Sequence, residues 1–231
     1  MKIIIKIIII ITFIYLIGIY FHKRKYYKNR VPDNIMKYFD EEFFLNQVSD
    51  FPVTYLEYNG NNLDPEKYVN STIEDFLKKD NNKQKRYQIK QTFEDDNLSR
   101  YFYNYAYFPL IEHLKLKNTS PFVIRVSKSE WSFDYHYDCM DLLLIQLSGT
   151  RIVYLKKDKN SNQSRKYVLN SGDMLHIPIG MYHRVETGTG LNVNFNIILE
   201  TKDTKKIDKC KKQFNIDYKL QSQKCKNNKC I

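Results

Sequence analysis

The chain has 231 residues, of which 15% are aromatic and only seven are glycine and six proline. This length allows one sizeable domain with extensions, and the composition excludes a disordered or collagen-like chain. The formal net charge of +11 is concentrated at the ends, because residues 1–30 and 201–231 each carry +7 and the residues between them carry −3. A nucleic-acid-binding domain usually carries its basic surface on the fold itself. The pattern therefore argues against nucleic acid as a partner and favours contact of the basic ends with anionic lipid.

An apolar segment, Ile3 to Tyr20, lies near the start of the chain and is interrupted by Lys6 and Thr12. As a helix it would span about 27 Å, close to the roughly 30 Å hydrocarbon core of a membrane. A cleaved signal peptide is the alternative, but no small-residue cleavage site follows the apolar run. The sequence predicts an uncleaved single-pass transmembrane anchor at residues 1–21 and a basic juxtamembrane linker at 22–50.

The basic residues on the two sides of this segment predict its orientation. Two lysines precede or enter it, whereas five Lys or Arg residues follow it between positions 23 and 30. Since the more positive side of a span faces the cytosol, we expect a membrane protein whose folded domain is cytosolic.

Residues 51–200 carry the patterns of a folded domain. FPVTYLEY is typical of a strand, whereas the apolar spacing in PEKYVNSTIEDFLKKD predicts a helix. The aromatic stretch from Tyr101 to Phe108 is predicted to pack on the core of the domain, with an aromatic wall for substrate as the alternative.

From Phe122 onward the apolar residues recur with the period of strands. The runs FVIRV, DLLLIQL, RIVYL, KYVL, DMLHIPI, YHRVE and LNVNFNIIL are short, rich in β-branched residues and separated by turn residues. Such spacing is typical of a jelly roll, or double-stranded β-helix. We predict a mainly β domain with N-terminal helices, followed at 201–231 by a Lys-rich tail that serves for docking or is simply solvated.

The four cysteines form no C-x-x-C pair, so a zinc site has little support. Cys139 is interpreted as buried packing. The three in the tail, Cys210, Cys225 and Cys230, would pair in an oxidising compartment and stay reduced in a reducing one.

The motif His136-Tyr137-Asp138 is the first candidate for chemistry. Two side chains two apart on a strand point to the same face, and here they are an imidazole and a carboxylate. His183, in LHIPIGMYHRV, is the third candidate ligand, with a histidine at the rim of the fold as its alternative. Two His and one carboxylate leave positions open on a metal, which suits non-haem Fe(II).

Several motifs follow one another between about residues 85 and 200: the His-x-Asp, QLSG, a Gly-Asp turn followed by IPxGxxH, and a closing VNF. In this order they resemble the JmjC/cupin family of Fe(II)- and 2-oxoglutarate-dependent hydroxylases, which includes the hypoxia-inducible-factor asparaginyl hydroxylase and the ribosomal oxygenases. The resemblance implies a cupin fold, Fe(II) held by His136, Asp138 and His183, and 2-oxoglutarate and O2 as cosubstrates. It also implies an oxygenase that hydroxylates a protein.

The resemblance further suggests residues for the cosubstrate. Arg151 would pair the far carboxylate of 2-oxoglutarate, since a guanidinium forms two parallel hydrogen bonds with a carboxylate; a surface arginine at a strand start is the alternative. Asn194 matches an asparagine near the iron, Gln146 is expected to point into the barrel, and Tyr87 is a candidate hydroxyl donor.

The sequence departs from the family at two positions of the cosubstrate pocket. The hydroxylase has threonine where this chain has Phe133, and asparagine where it has Leu142. A non-catalytic, membrane-tethered cupin that binds a partner is therefore one alternative. A cupin that uses another metal without 2-oxoglutarate is a second.

Overall fold

A computed structural model of the chain describes residues 28–59, 67–79, 85–92, 96–128, 131–201 and 203–226. Within these ranges no helix combines the length and the apolar character needed to cross a membrane. The predicted transmembrane segment and Cys230 lie outside the described residues.

Two antiparallel sheets form the framework of the described residues. Their strands are β1 Lys28–Arg30, β2 Pro52–Asn59, β3 Lys67–Thr72, β4 Lys85–Thr92, β5 Thr119–Lys128, β6 Trp131–His136, β7 Asp141–Ser148, β8 Arg151–Lys156, β9 Arg165–Leu169, β10 Asp173–Ile177, β11 Tyr182–Thr187 and β12 Leu191–Leu199. The larger sheet has the order β1-β10-β7-β12-β5-β4-β2-β3, and the smaller sheet has the order β6-β11-β8-β9. This mainly β, two-sheet architecture agrees with the predicted cupin or jelly-roll fold.

Short helices accompany the sheets. They are α1 Asp33–Met36, a 3-10 turn at Lys37–Phe39, α2 Glu41–Val48, α3 Ile73–Leu77, α4 Asn97–Phe102, a π-helical turn at Tyr103–Tyr107, α5 Phe108–Leu114 and α6 Thr204–Lys226. The aromatic stretch predicted to pack on the core does so, because the ring of Phe102 contacts that of Phe195 on β12 at 5.8 Å.

The alternation along β12 separates two environments. Val193, Phe195 and Ile197 belong to an apolar core shared with the N-terminal helices. The side chains between them, Asn192, Asn194 and Asn196, are buried and polar and point to the opposite face. A second apolar cluster, drawn from β7 and β10 of one sheet and β8, β9 and β11 of the other, fills part of the space between the sheets.

Residues 28–50, predicted as linker, are part of the folded domain. Strand β1 pairs with β10, and the apolar residues that follow it are buried: Val31, Ile35, Phe39, Phe44 and Val48. Their helical spacing presents one apolar face to the core. The sequence reading missed this because the basic residues preceding them dominate the composition.

The helix predicted over residues 65–80 is only partly present. Lys67–Thr72 forms the edge strand β3, paired with β2, and the helix is limited to α3. Thr72 caps that helix by accepting a hydrogen bond from the amide of Asp75 over 3.2 Å. Sheet pairing outweighed the helical spacing in this segment.

The Lys-rich tail forms the long helix α6. A disulfide joins Cys210 on this helix to Cys139. The interpretation of Cys139 as packing alone was therefore wrong. The bond attaches the tail to the loop that follows β6.

Candidate metal centre

Three side chains with metal-binding atoms converge at the end of β6. The ligand atoms of His136, Asp138 and His183 all lie within 4.8 Å of one another. Nε2 of His183 is 3.6 Å from Oδ2 of Asp138, and the centroids of the two imidazole rings are 4.1 Å apart. Two donors on one ion lie at most about 4.4 Å apart. Small side-chain rotations would thus allow the three groups to share an ion.

Strand pairing brings the two histidines together. His136 ends β6, and the register of the smaller sheet places it directly opposite His183 on β11. Asp138 does not share the strand with His136, contrary to the sequence prediction, because β6 ends before it. The carboxylate is therefore positioned by its loop and not by strand alternation.

Backbone carbonyls orient both imidazole rings. Nδ1 of His136 lies 2.9 Å from the carbonyl oxygen of Asp134, and Nδ1 of His183 lies 3.0 Å from that of Met181. A carbonyl oxygen only accepts, so each Nδ1 carries a proton and donates it. Both Nε2 atoms are left with the lone pair that a metal binds.

Burial keeps His183 in the form that binds metal. The side chain is buried, and this burial, together with the charge of His136, lowers the pKa of His183 to about 4 against the opposing effect of Asp138. Since an imidazole binds metal in its neutral state, His183 has no proton to lose on binding at neutral pH.

Two contacts hold the loop that carries Asp138. The amide of Gly180 donates to the carbonyl oxygen of Asp138 over 2.9 Å, and the neighbouring Cys139 is bonded to Cys210. Gly180 has a φ of +74°, which glycine adopts without steric cost. The turn before His183 and the loop after His136 are thus joined directly.

Asp141, the first residue of β7, ties the same turn to the larger sheet. Its Oδ1 accepts a hydrogen bond from the amide of Ile179 over 3.0 Å, and its Oδ2 accepts one from the hydroxyl of Thr201 over 2.6 Å. Although burial opposes ionisation, these hydrogen bonds outweigh it and lower the pKa of Asp141. The charged carboxylate fixes the turn that leads into His183.

Arg151 lies further along the inner face of the smaller sheet. It begins β8 opposite Thr187, and Leu155 of the same strand lies opposite His183. The separation of four positions corresponds to about 13 Å along the strand. Arg151 is 2% exposed, and its Nε and Nη2 have no hydrogen-bond partner among the described residues. Burial, reinforced by the charge of Arg125, lowers the pKa of Arg151 to about 9.

Gln146 and Asn194 are both fully buried and lie opposite each other on β7 and β12. The amide nitrogen of Gln146 donates to Asn192 over 3.2 Å, and that of Asn194 donates to the carbonyl oxygen of Arg125 over 3.3 Å. Within the part of the chain that the structure describes, the side-chain oxygens of Gln146 and Asn194 have no hydrogen-bond partner. Since buried polar atoms are normally paired, these oxygens are available to a bound polar ligand.

Two further polar residues of this group were missed by sequence reasoning. Gln88 on β4 lies opposite Ser127 on β5, which lies opposite Asn192. The atoms Gln88 Nε2 and Ser127 Oγ are buried, and the described residues offer neither of them a hydrogen-bond partner. The signal was present, because both are polar residues that interrupt apolar runs at the alternation of their strands.

Tyr87 and Leu142 lie outside the polar group. Tyr87 packs against the core that contains Tyr55 and Ile89, on the opposite face of β4 from Gln88, so the structure does not bring it to the predicted position. Leu142 is 2% exposed and belongs to the second apolar cluster. At the position where the family has asparagine, this chain therefore has an apolar side chain that packs in the second apolar cluster.

Comparison with known proteins bears on the same part of the chain. A family model described as the JmjC domain matches residues 111–206, and no curated protein matches the chain. Two similar solved structures are a Drosophila melanogaster CENP-C cupin domain, 18% identical with a TM-score of 0.30, and Drosophila melanogaster CENP-C bound to CAL1, 18% identical with a TM-score of 0.31. The matches cover 34% and 33% of this chain, and 59% and 63% of those chains. Residues 111–206 are thus similar to the JmjC domain, the family that the sequence motifs resemble.

Proposed function

We propose that this protein is an Fe(II)- and 2-oxoglutarate-dependent oxygenase, and that it hydroxylates another protein. The single observation that carries this proposal is the pairing of two sites on one inner sheet face. One is a set of two imidazoles and a carboxylate, and the other is the buried guanidinium of Arg151, whose Nε and Nη2 have no partner.

The donor set fits Fe(II). Two histidines and one carboxylate, with further positions open, are the ligands that non-haem iron oxygenases use. Each Nδ1 lies within hydrogen-bond distance of a backbone carbonyl, so each Nε2 would present its lone pair to a metal. His136, Asp138 and His183 would hold the ion.

The buried polar atoms fit a small dicarboxylate. An unpaired buried cation is costly to a folded protein, and an anion within reach of Arg151 would remove that cost through two parallel hydrogen bonds. Gln146 and Asn194, whose side-chain oxygens have no partner among the described residues, would accept hydrogen bonds from water bound beside the dicarboxylate, because the ionised ligand has no donor. Bound together, iron, 2-oxoglutarate and O2 supply the oxidation that inserts an oxygen atom into a C–H bond.

The chain's own residues would orient the metal ligands and keep water out of the interior beside them. The carbonyls of Asp134 and Met181 fix the two rings, and Asp141 fixes the turn before His183. The apolar cluster that includes Leu142 and Leu155 excludes water from the neighbouring interior.

Turnover of 2-oxoglutarate tests the proposal. The full-length chain, given Fe(II) and a reductant in air, should convert 2-oxoglutarate to succinate even without its protein substrate, though slowly. His136→Ala and Asp138→Ala should abolish both the conversion and metal binding. His113→Ala, which removes an exposed histidine, is the matched control and should leave both unchanged. Wild type that neither binds metal nor makes succinate would rule the oxygenase out.

A non-catalytic cupin module is the second candidate, and Leu142 is the observation that favours it. An apolar residue stands where the hydroxylases have asparagine, so a polar contact of that pocket is missing. A binding module should tolerate His136→Ala and Asp138→Ala in a partner-capture assay, whereas an oxygenase should lose product formation. A cupin that works with another metal would bind the ion and remain indifferent to Arg151→Met.

We also propose that the domain is tethered to a membrane and faces the cytosol. The apolar run at residues 3–20 and the excess of basic residues after it support this. The Cys139–Cys210 disulfide argues against the cytosolic orientation, because such bonds persist mainly in oxidising compartments. Alkaline carbonate extraction should leave the full-length chain in the membrane fraction, and external protease should remove its domain from inside-out vesicles only. Release by carbonate, or digestion in right-side-out vesicles, would contradict the tether or its orientation.

A further inference from the structure

We infer that helix α6 is a docking surface for an acidic polypeptide segment, held beside the metal centre. The inference rests on the proposed function, because it names the class of protein substrate that the oxygenase would take. Three features of the helix carry it: its attachment, its pattern of lysines and the aromatic surface next to it.

The helix is attached to the loop that carries a metal ligand. Cys210 is bonded to Cys139, which directly follows Asp138, and Cys210 Sγ lies 3.8 Å from the carbonyl oxygen of Asp138. One turn further on, the ring of Phe214 meets that of Tyr137 edge to face at 6.1 Å. The part of the helix around residue 210 is thus a fixed wall beside the site.

The face turned away from this attachment is basic. Lys205, Lys209 and Lys212 are exposed, and their spacing of four and three residues places them on one side of a helix. Between residues 204 and 215 the chain has five lysines and one aspartate. Like charges at these spacings weaken a helix on its own, and an anionic partner would turn the repulsion into attraction. We call Lys205, Lys209 and Lys212 the basic stripe.

The geometry of the basic stripe fits an extended polypeptide. Along the helix axis, Lys205 and Lys209 are separated by about 6 Å and Lys209 and Lys212 by about 4.5 Å, and the long, flexible lysine side chains can spread their charges further. Alternate side chains of an extended chain are separated by about 6.6 Å, so acidic residues at alternate positions would each meet a lysine. The stripe therefore selects for a linear segment with Asp or Glu at every second position.

Aromatic rings connect the attached face of helix α6 to the metal ligands. Tyr137 follows the ligand His136 and contacts Tyr182, next to the ligand His183, with ring centroids 4.9 Å apart. Phe214 remains 49% exposed despite its contact with Tyr137. A segment bound along the stripe would reach the metal by passing round the helix and across these rings.

Peptide binding tests the inference without requiring turnover. The probe is a fluorescein-labelled peptide that alternates Glu and Ser, compared with one that alternates Gln and Ser. The full-length chain, kept in a neutral detergent, should bind the Glu peptide in a fluorescence anisotropy titration and lose affinity as salt is raised. The triple variant Lys205→Glu/Lys209→Glu/Lys212→Glu should weaken binding about tenfold or more.

A charge-matched variant separates the basic stripe from net charge. Lys67→Glu/Lys79→Glu/Lys117→Glu alters three exposed lysines outside α6 and should change the affinity by less than about twofold. If circular dichroism shows that the stripe variant has lost helix, the corresponding Lys→Gln triple replaces it, with an expected weakening of about threefold. Equal loss in the stripe and control variants would overturn the inference.

The position of the bound peptide is tested by cross-linking. A benzophenone at the centre of the Glu peptide should label residues 137–140 and 204–215, and labelling confined to other segments would overturn the inference. The inference would also be overturned if the protein failed to bind the peptide but bound phosphatidylserine vesicles through the basic stripe. In that case the stripe would contact a membrane. Peptide binding without 2-oxoglutarate turnover would contradict the proposed function alone, and turnover without peptide binding would contradict this inference alone.

Discussion

Replacing Arg151 with methionine should make the ligand-free protein more stable and make it insensitive to 2-oxoglutarate. Methionine retains an unbranched side chain of similar reach but removes the charge and the donors. In the folded protein, Arg151 is 2% exposed and its Nε and Nη2 lack partners. The variant therefore removes an unfavourable buried cation and little favourable packing.

The size of the effect follows from the buried charge. Burial, with the charge of Arg125 added, lowers the pKa of Arg151 to about 9, and a shift of this size corresponds to about 5 kcal/mol against the charged form. Because the pKa of this base is lowered on folding, the cost applies in full below pH 9 and decreases only as the pH rises through that value. Replacements of buried charges by apolar residues typically recover about 1–4 kcal/mol. In a protein of this length that raises the melting temperature by about 2 °C or more for each kcal/mol.

Thermal unfolding at pH 7.5 measures both the stability of the ligand-free protein and its response to 2-oxoglutarate. Zn²⁺ takes the place of Fe(II) in this assay, because zinc has no redox chemistry and the ligand is not consumed. Wild type should gain about 2.7 kcal/mol with 2-oxoglutarate at one hundred times its dissociation constant, whereas Arg151→Met should start from a higher melting temperature and gain nothing. Arg165→Met, at an exposed arginine on β9, should change stability by less than about 0.5 kcal/mol and keep the response to the ligand. A destabilised Arg151→Met variant, or one that still responds to 2-oxoglutarate, would refute the reasoning that the guanidinium awaits an anion.

Three further predictions concern the supports of the site. Gly149→Ala should lower the free energy of unfolding by about 2 kcal/mol or more in a urea titration. The reason is that Gly149 has a φ of +75° and an added Cβ would lie 2.3 Å from a carbonyl oxygen of β12. Gly188→Ala, which has neither that φ nor that close approach, is the control, and equal losses in the two variants would contradict the account. Cys139→Ser/Cys210→Ser should lose up to about 4 kcal/mol, as loop entropy gives for a separation of 71 residues, and a thermal melt unchanged by the double substitution would contradict it. Asp141→Asn should cost about 1–3 kcal/mol at neutral pH. Because the pKa of Asp141 is lowered on folding, the stability that its charged carboxylate contributes is lost as the pH falls through the folded pKa. The free energies of unfolding of wild type and variant should therefore converge in acid. Curves of stability against pH that stay parallel would argue against this.

The strands were predictable where one pattern decided them. LNVNFNIIL alternates apolar and polar residues, and it forms β12 over the full run. The same is true of the smaller sheet, where RIVYL and YHRVE give β8 and β11 and bring His183 opposite its predicted partner. Local alternation was sufficient there because each strand has one apolar face to bury.

The positions that sequence reasoning misplaced depend on contacts between distant segments. Asp138 was assigned to the strand of His136, but β6 ends at His136, and the carboxylate is held through Gly180 and Cys139. Tyr87 was placed one residue out of register, so it faces the helix-covered core. A shift of one residue moves a side chain to the other face of a sheet, and no local pattern fixes the register of β4 against β5.

The attachment of Asp138 couples the metal centre to helix α6. The same loop carries the carboxylate ligand and Cys139, so any partner that steadies the helix also restricts the positions available to the ligand. A metal that fixes Asp138 should in turn restrict the helix, because a coupling free energy acts equally in both directions. If the helix docks an acidic segment, metal and segment should strengthen each other's binding by the same factor. The coupling should weaken in Cys139→Ser/Cys210→Ser, since the disulfide that joins loop and helix is then absent while the contact between the rings of Phe214 and Tyr137 remains. The Lys-rich helix α6, although distant from the metal ligands in sequence, would thereby influence Asp138, the one ligand that lies in a loop and not on a strand.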